Sequence, residues 1–182
     1  MWQSYDGPPD TAIVNRSVGY AYSNNVYYIG GVSADTVRAD VWSINVPMNV
    51  WYKMADFPVK QYGGVAVVID KTAYAGMGRG PDNVCNDSLW MSEDGALSWI
   101  YKTTYPITGS VLGSVVCNNL LYIVDEDHNI IAYNPEKDIW TKKSRIIGGR
   151  RAFHCIYSVG NKIYIGLGND ESIMVYDPSW DN

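Results

Sequence analysis

The sequence predicts an all-β fold made of four repeated units, each of four antiparallel strands. Hydrophobic residues make up 47% of the 182 residues and charged residues 18%, a composition typical of a chain that buries a core. The chain holds 15 Tyr and 7 Trp against 2 Phe, and rings with a polar end are frequent in strands. Short apolar runs recur at a nearly fixed interval, which indicates a repeat architecture.

Each repeat begins with a predicted hairpin. The second strand of each hairpin carries a tyrosine, and the spacings between these tyrosines are 46, 48 and 42 residues. They are Tyr28, Tyr74, Tyr122 and Tyr164. A polar two-residue turn precedes each of these strands, a pattern typical of hairpins. The predicted turns are Asn24-Asn25, Asp70-Lys71, Asn118-Asn119 and Gly160-Asn161.

A third and a fourth strand complete each unit. The third strands are predicted at 40–44, 87–91, 129–133 and 172–176, and a fourth strand begins at Trp51, Trp99 and Trp140. Trp42 and Trp90 recur in the third strands, so we expect both sets of tryptophans to pack between sheets. The last unit lacks a fourth strand of its own, whereas Trp2 and Pro9 repeat the seven-residue offset of Trp51 and Pro58. The N-terminal strand 1–9 is therefore predicted to complete the last unit.

The order of these residues resembles the kelch repeat of β-propellers. The resemblance is carried by Gly30-Gly31, Trp42, Trp51 and Pro58 in the first unit, and by Tyr133-Asn134-Pro135 and Tyr176-Asp177-Pro178 in later ones. In the third unit Asp125-Glu126 replace the double glycine, so we expect a differently shaped loop there. The segment 92–99 resembles the Asp-box of sialidases and related propellers, with Ala96 where a second glycine is usual, and is predicted to form a hairpin turn.

The resemblance implies one propeller domain over residues 1–182. Its four-stranded antiparallel blades are expected at about 10–58, 59–106, 107–146, and 147–178 with 1–9. Kelch propellers usually have more than four blades, so three arrangements stay open. They are a four-bladed monomer, a larger ring of two chains that exchange N-terminal strands, and a fragment of a longer propeller. We expect the monomer.

Arginines predict a binding surface. In such a blade, the loops that join strand two to strand three and one blade to the next lie on the same rim. All six arginines fall in or beside these loops, and guanidinium groups suit carboxylates and other anions. The predicted ligand-binding residues are Arg38, Arg79, Arg151, Arg16 and His154. The alternative is structural, with the arginines paired to Asp40, Asp87 and their neighbours in the same loops.

These observations favour a non-catalytic binding or scaffold propeller that recognises a protein segment or a glycan, anionic ligands included. The alternative is a sugar mutarotase or epimerase resembling the bacterial kelch sialate mutarotases, with no catalytic residue identified. That chemistry needs only a carboxylate or His beside an arginine. A copper site like that of galactose oxidase needs converging imidazoles, whereas His128 and His154 lie in different units, so we expect no metal and no cofactor.

Charge and hydropathy exclude further classes. The net charge of −5 argues against a nucleic-acid or membrane-surface binder, which needs a basic field. Cys85, Cys117 and Cys155 are widely spaced and are predicted to be free thiols. Neither a signal peptide nor a run of 18 apolar residues is present, so we expect a soluble chain of unknown compartment.

Overall fold

The computed structural model describes residues 7, 14–106, 109–146, 155–166 and 172–181. Within these residues the chain is almost entirely β-structure, and its single helix is a 3₁₀ turn at Pro178–Trp180. The strands form successive antiparallel sheets whose first strands pack side by side in chain order. The protein is a four-bladed β-propeller, as predicted.

Blades 1 and 2 are four-stranded sheets. Blade 1 contains β1 (Val18–Tyr22), β2 (Asn25–Ile29), a small added hairpin of β3 (Val32–Ser33) and β4 (Thr36–Val37), then β5 (Val41–Asn45) and β6 (Val50–Lys53). Blade 2 contains β7 (Val65–Ile69), β8 (Thr72–Gly76), β9 (Ser88–Ser92) and β10 (Ile100–Thr104). Each inner strand pairs with the next strand along the chain, which gives the meander expected of a propeller blade.

Blades 3 and 4 follow the same plan. Blade 3 contains β11 (Val111–Cys117), β12 (Leu120–Asp125), β13 (Asn129–Asn134) and β14 (Ile139–Arg145). In blade 4 the described strands are β15 (Cys155–Val159), β16 (Lys162–Gly166) and β17 (Ile173–Tyr176). Trp2 and Pro9 lie outside the described residues, so completion of blade 4 by the strand 1–9 stays a prediction.

The hairpin turns agree with the sequence in three blades and differ by one residue in the first. Asn25 pairs with Tyr22, so the turn is Ser23-Asn24 and not Asn24-Asn25. Ser23 adopts the left-handed conformation, with φ of 54°. The repeat tyrosine of blade 1 is therefore Tyr27, which is 4% exposed, and the prediction of Tyr28, 40% exposed, is wrong. Two consecutive asparagines suit a turn equally well, and the sequence offers no means of choosing between registers.

Three apolar clusters fill the interfaces between consecutive blades. The first joins residues of blades 1 and 2, including Tyr27 and Ala75, and Trp90 and Trp99 pack against it. The second joins blades 2 and 3, with Trp140 packed against it, and the third joins blades 3 and 4. The prediction that Trp90, Trp99 and Trp140 pack between blades is thus confirmed.

The connection that leaves each outer strand covers the next blade. The covering residue stands six positions after the repeat tryptophan. Phe57 lies edge-on to Trp99, with ring centroids 5.0 Å apart, and Tyr105 lies edge-on to Trp140 at 5.2 Å. Ile146 packs on the third cluster in the same way. Burial raises the pKa of the Tyr105 phenol, and the negative charge of Asp125 raises it further, so this ring stays neutral.

The loop after the second strand differs between blades. Gly30 and Gly31 have φ of 59° and 107°, as expected for the double glycine. In blade 3, β12 continues to Asp125, whose carboxylate accepts hydrogen bonds from the backbone N–H and the side-chain Nδ2 of Asn129, both at 2.8 Å. The loop is therefore shorter and differently shaped, as predicted from the loss of the glycines.

The predicted Asp-box turn is also confirmed. The carboxylate of Asp94 accepts hydrogen bonds from the backbone N–H groups of Leu97 and Ser98, each at 3.0 Å, and from the Ser92 hydroxyl at 2.9 Å. Ala96 takes φ of 63°, the conformation for which glycine is usual. The turn thus keeps its shape by side-chain hydrogen bonds around one aspartate.

Candidate functional site

The structure describes three of the five residues that the sequence proposes for ligand binding. These are Arg16, Arg38 and Arg79; Arg151 and His154 lie outside the described residues. Backbone hydrogen bonds join Arg38, Arg79 and Arg16 to the consecutive residues 61–63, but the three side chains do not converge on one point. Arg16 and Arg79 belong to a common group of contacts, whereas Arg38 belongs to a separate cavity.

Arg79 connects blade 2 to blade 3. Its backbone pairs in both directions with that of Tyr62, with N–O distances of 2.9 and 3.0 Å. Its guanidinium donates a hydrogen bond to the Asn83 carbonyl at 2.8 Å and another to the Ser110 hydroxyl, and it lies 3.9 Å from a Glu126 carboxylate oxygen. These contacts reach the start of blade 3, so Arg79 contributes to the joint between two blades.

Arg16 lies on the neighbouring side of Tyr62. Its guanidinium carbon is 5.6 Å from the centre of the Tyr62 ring, within the range of a cation–π contact. The carbonyl of Arg16 accepts a hydrogen bond from the N–H of Gly63 at 2.8 Å, which fixes the backbone of blade 1 to that of blade 2. The Arg16 residue is exposed to solvent. Its charge is therefore presented at the rim by a fixed backbone.

Tyr62 connects the two arginines. Its hydroxyl donates a hydrogen bond to the side-chain oxygen of Asn83 at 2.6 Å, and Asn83 also contacts Arg79. Asn83 takes φ of 59° at the tip of the loop 77–87, and the next residue, Val84, is 66% exposed. We call this group of residues the rim surface: Arg16, Tyr62, Arg79, Asn83 and Val84. It combines tyrosine and arginine with an exposed apolar side chain, a composition typical of protein interfaces.

Sequence reasoning missed Tyr62, Asn83 and Val84. A signal for Tyr62 exists, because it stands three residues before an inner strand, as Asn15 does in blade 1, and both residues bridge the loop of their own blade. The contact between Tyr62 and Asn83 has no comparable signal, since it depends on the path of an irregular loop.

Arg38 has the structural environment that the alternative interpretation expected. Its Nε is 2.7 Å from a carboxylate oxygen of Asp40, and Lys53 lies 3.7 Å from the other oxygen. Arg38 and Asp40 line an open cavity of about 270 Å³ on blade 1, together with Trp42 and Trp51. Trp42 and Trp51 thus border a cavity, unlike their counterparts in blade 2.

Metal ligands and thiols add no further site. Within the residues that the structure describes, no three His, Cys, Asp or Glu side chains lie close enough together to hold a metal ion. Cys85, Cys117 and Cys155 are free thiols, as predicted. No helix of the described part is long and apolar enough to cross a membrane.

Comparison with known proteins adds sequence relatives to this geometry. No protein-family model matches the chain. It is 29% identical over 177 residues to Kelch repeat and BTB domain-containing protein 1 of Vaccinia virus (strain Copenhagen), and the match covers 85% of this chain. It is 27% identical over 170 residues to Kelch repeat and BTB domain-containing protein A55 of Vaccinia virus (strain Western Reserve), again over 85% of this chain.

A mammalian protein is similar over a shorter stretch. Kelch-like protein 24 of Mus musculus is 31% identical over 96 residues, which is 51% of this chain and 16% of that protein. The chain spans 29% of the length of each of the two Vaccinia virus proteins.

Proposed function

Because this chain belongs to the kelch-repeat β-propeller family, we propose that it is a non-catalytic scaffold that binds a segment of another protein through the rim surface. The observation that carries the proposal is the Arg16–Tyr62–Asn83 arrangement beside the exposed Val84. Tyrosine and arginine are the residue types that contribute most to binding energy when a partner excludes water from them.

The rim surface has a rigid support. The backbone pairs of Tyr62 with Arg79, and of Gly63 with Arg16, hold the connection between blades 1 and 2 against the loop 77–87. Within that loop, Gly80 donates a hydrogen bond to the Val84 carbonyl at 2.9 Å, which closes its tip. A partner that binds here meets a surface already ordered, which lowers the entropy cost of association.

The two arginines differ in what they offer a partner. Several donors of Arg79 are used within the protein, whereas Arg16 is exposed and contacts a ring face. We therefore propose that Arg16 pairs with a carboxylate of the partner, that Val84 packs on an apolar partner side chain, and that Arg79 is a supporting residue. Glycan binding and mutarotase activity remain hypotheses from the sequence resemblance.

The test is selection of random linear peptides displayed on phage against the wild-type chain. Affinities are then measured for an Arg16→Gln/Val84→Ser variant. The matched control is Lys71→Gln/Leu97→Ser, since Leu97 is as exposed as Val84 but lies at a hairpin turn. We expect the rim variant to lose at least about tenfold in affinity and the control to keep it. Equal losses in both variants, or no peptide enriched above background, would contradict the proposal.

A further inference from the structure

Among the described residues of blade 4, the side chains of one face are buried and large apolar side chains of the other face are exposed. Ile163 and Ile165, which point towards blade 3, are 1% and 2% exposed. The opposite face carries four large apolar side chains that are between 48% and 64% exposed. We call it the distal face; its residues are Tyr157, Val159, Ile173 and Val175. Four such side chains on one sheet form a contiguous apolar surface, which monomers rarely leave in water.

The strand pairing shows what this face is built to contact. Val159 and Cys117 occupy equivalent positions, because each pairs with the first residue of the second strand of its blade. Ile173 and Ile130 are also equivalent, because each pairs with the fifth residue of that strand. Cys117 and Ile130 are each 3% exposed, because blade 4 covers them. The distal face of blade 4 therefore has the chemistry and the position of an inter-blade contact surface.

The complementary surface occurs at the other end of the blade order. The side of blade 1 that faces away from blade 2 carries the open cavity lined by Tyr28, Trp42 and Trp51; we call it the proximal face. Trp90 of blade 2 is equivalent to Trp42 of blade 1, because each pairs with the fourth residue of the second strand of its blade. Trp90 contacts Phe57, which follows the preceding blade. The proximal face is thus shaped to receive a preceding blade.

We infer that these two faces join two copies of this chain, with the distal face of one copy packed against the proximal face of the other. Within the chain, three interfaces already join the distal side of one blade to the proximal side of the next. A second copy offers the same pair of surfaces, so the two copies make two equivalent contacts. A ring of two copies covers both faces of each chain, whereas an open row of copies would leave one apolar face in water at each end.

The experiment is sedimentation velocity of the full chain between about 1 and about 100 µM, where a specific dimer separates from weak association. We expect a species of twice the 20.3 kDa chain mass. A distal variant, Val159→Lys/Ile173→Lys, and a proximal variant, Tyr28→Lys, should each weaken the dimer at least about tenfold. The matched control is Ile139→Lys, an apolar residue of similar exposure on the outer strand of blade 3.

Mixing the two variants tests the pairing of unlike faces. A distal variant paired with a proximal variant retains one intact contact, so the mixture should form more dimer than either variant alone. If like faces paired, each variant alone would keep one intact interface, and mixing would bring no gain. A wild-type chain that stays monomeric at about 100 µM, or a dimer that neither variant weakens, would overturn the inference.

Discussion

Two glycines with the same backbone conformation allow the loop after β2 to be tested directly. Gly30 and Gly63 have φ of 59° and 62°, so alanine is strained equally at both. Their surroundings differ. A Cβ on Gly30 would overlap the carbonyl oxygen of Gln61, whereas a Cβ on Gly63 would have no atom within 4 Å. Gly63→Ala is therefore the matched control for Gly30→Ala.

The expected magnitudes follow from these contacts. The left-handed conformation costs a non-glycine residue about 1–2 kcal/mol, which is the whole loss expected for Gly63→Ala. In Gly30→Ala the Gln61 segment must also move. That movement weakens the hydrogen bond from Gly31 to Gln61, 2.8 Å, and the one from Gln61 to Arg38, 3.1 Å. At about 0.5–1.5 kcal/mol for each bond, the total loss is about 2–5 kcal/mol.

Urea unfolding followed by tryptophan fluorescence, with calorimetry of the same samples, measures both losses. The difference of about 1–3 kcal/mol corresponds to a Tm lower by about 2–12 °C for Gly30→Ala than for Gly63→Ala. Equal destabilisation of the two variants would show that the Gln61 segment can move without lowering the free energy of unfolding. It would refute the argument that close packing of Gln61 requires glycine at position 30.

Two further predictions concern single residues in the blades. Phe57→Ala should lower the free energy of unfolding by about 3–5 kcal/mol, because it empties a buried site against Trp99; Met48→Ala, at an exposed turn, should change it little. Similar urea midpoints for both variants would contradict this. Asp94→Asn should be less stable than wild type at pH 7, and the difference should become smaller as the pH falls to 3. Partial burial alone would raise the pKa of Asp94, but hydrogen bonds from Ser98 and Ser92 and from backbone N–H groups hold it below its usual range. Such a carboxylate stabilises the fold above its unfolded pKa and stops doing so as pH falls through its folded pKa. A difference from wild type that is the same at both pH values would exclude this origin.

The sequence predicts the repeating parts of the fold well, because each depends on local residues. Asp70-Lys71 and Gly160-Asn161 are turns in the structure, and Trp99 and Trp140 pack between blades. The register of blade 1 is the exception, since Ser23 takes a conformation for which Asn24 and Asn25 are better suited. Local preference decides where a hairpin forms more reliably than which of two adjacent residues turns it.

The candidate site is less predictable, because it combines residues from connections that are distant in sequence. The rim location of Arg16 and Arg79 follows from the repeat, but their shared contact with Tyr62 follows from the path of the loop 77–87. For Arg38 the sequence predicts the location of the residue but not the contacts of its side chain. Arg38 lies in the loop before the third main strand of blade 1, as the repeat predicts, yet its guanidinium pairs with Asp40 beside a separate cavity.

The architecture separates the residues that hold the blades together from those that vary between them. The covering positions, such as Phe57 and Tyr105, repeat in the interfaces, whereas the loop after the second strand runs from Gly30 to Asp40 in blade 1 and spans only 126–128 in blade 3. The residues of the blade 1 and blade 3 loops lie outside the inter-blade clusters, whereas Met77 of the blade 2 loop belongs to the cluster between blades 2 and 3. The short loop of blade 3 also leaves Glu126 within reach of Arg79, so a difference in loop length has a direct effect on the charge of the rim surface. A kelch-repeat chain can therefore change what its rim presents while its core keeps the same packing.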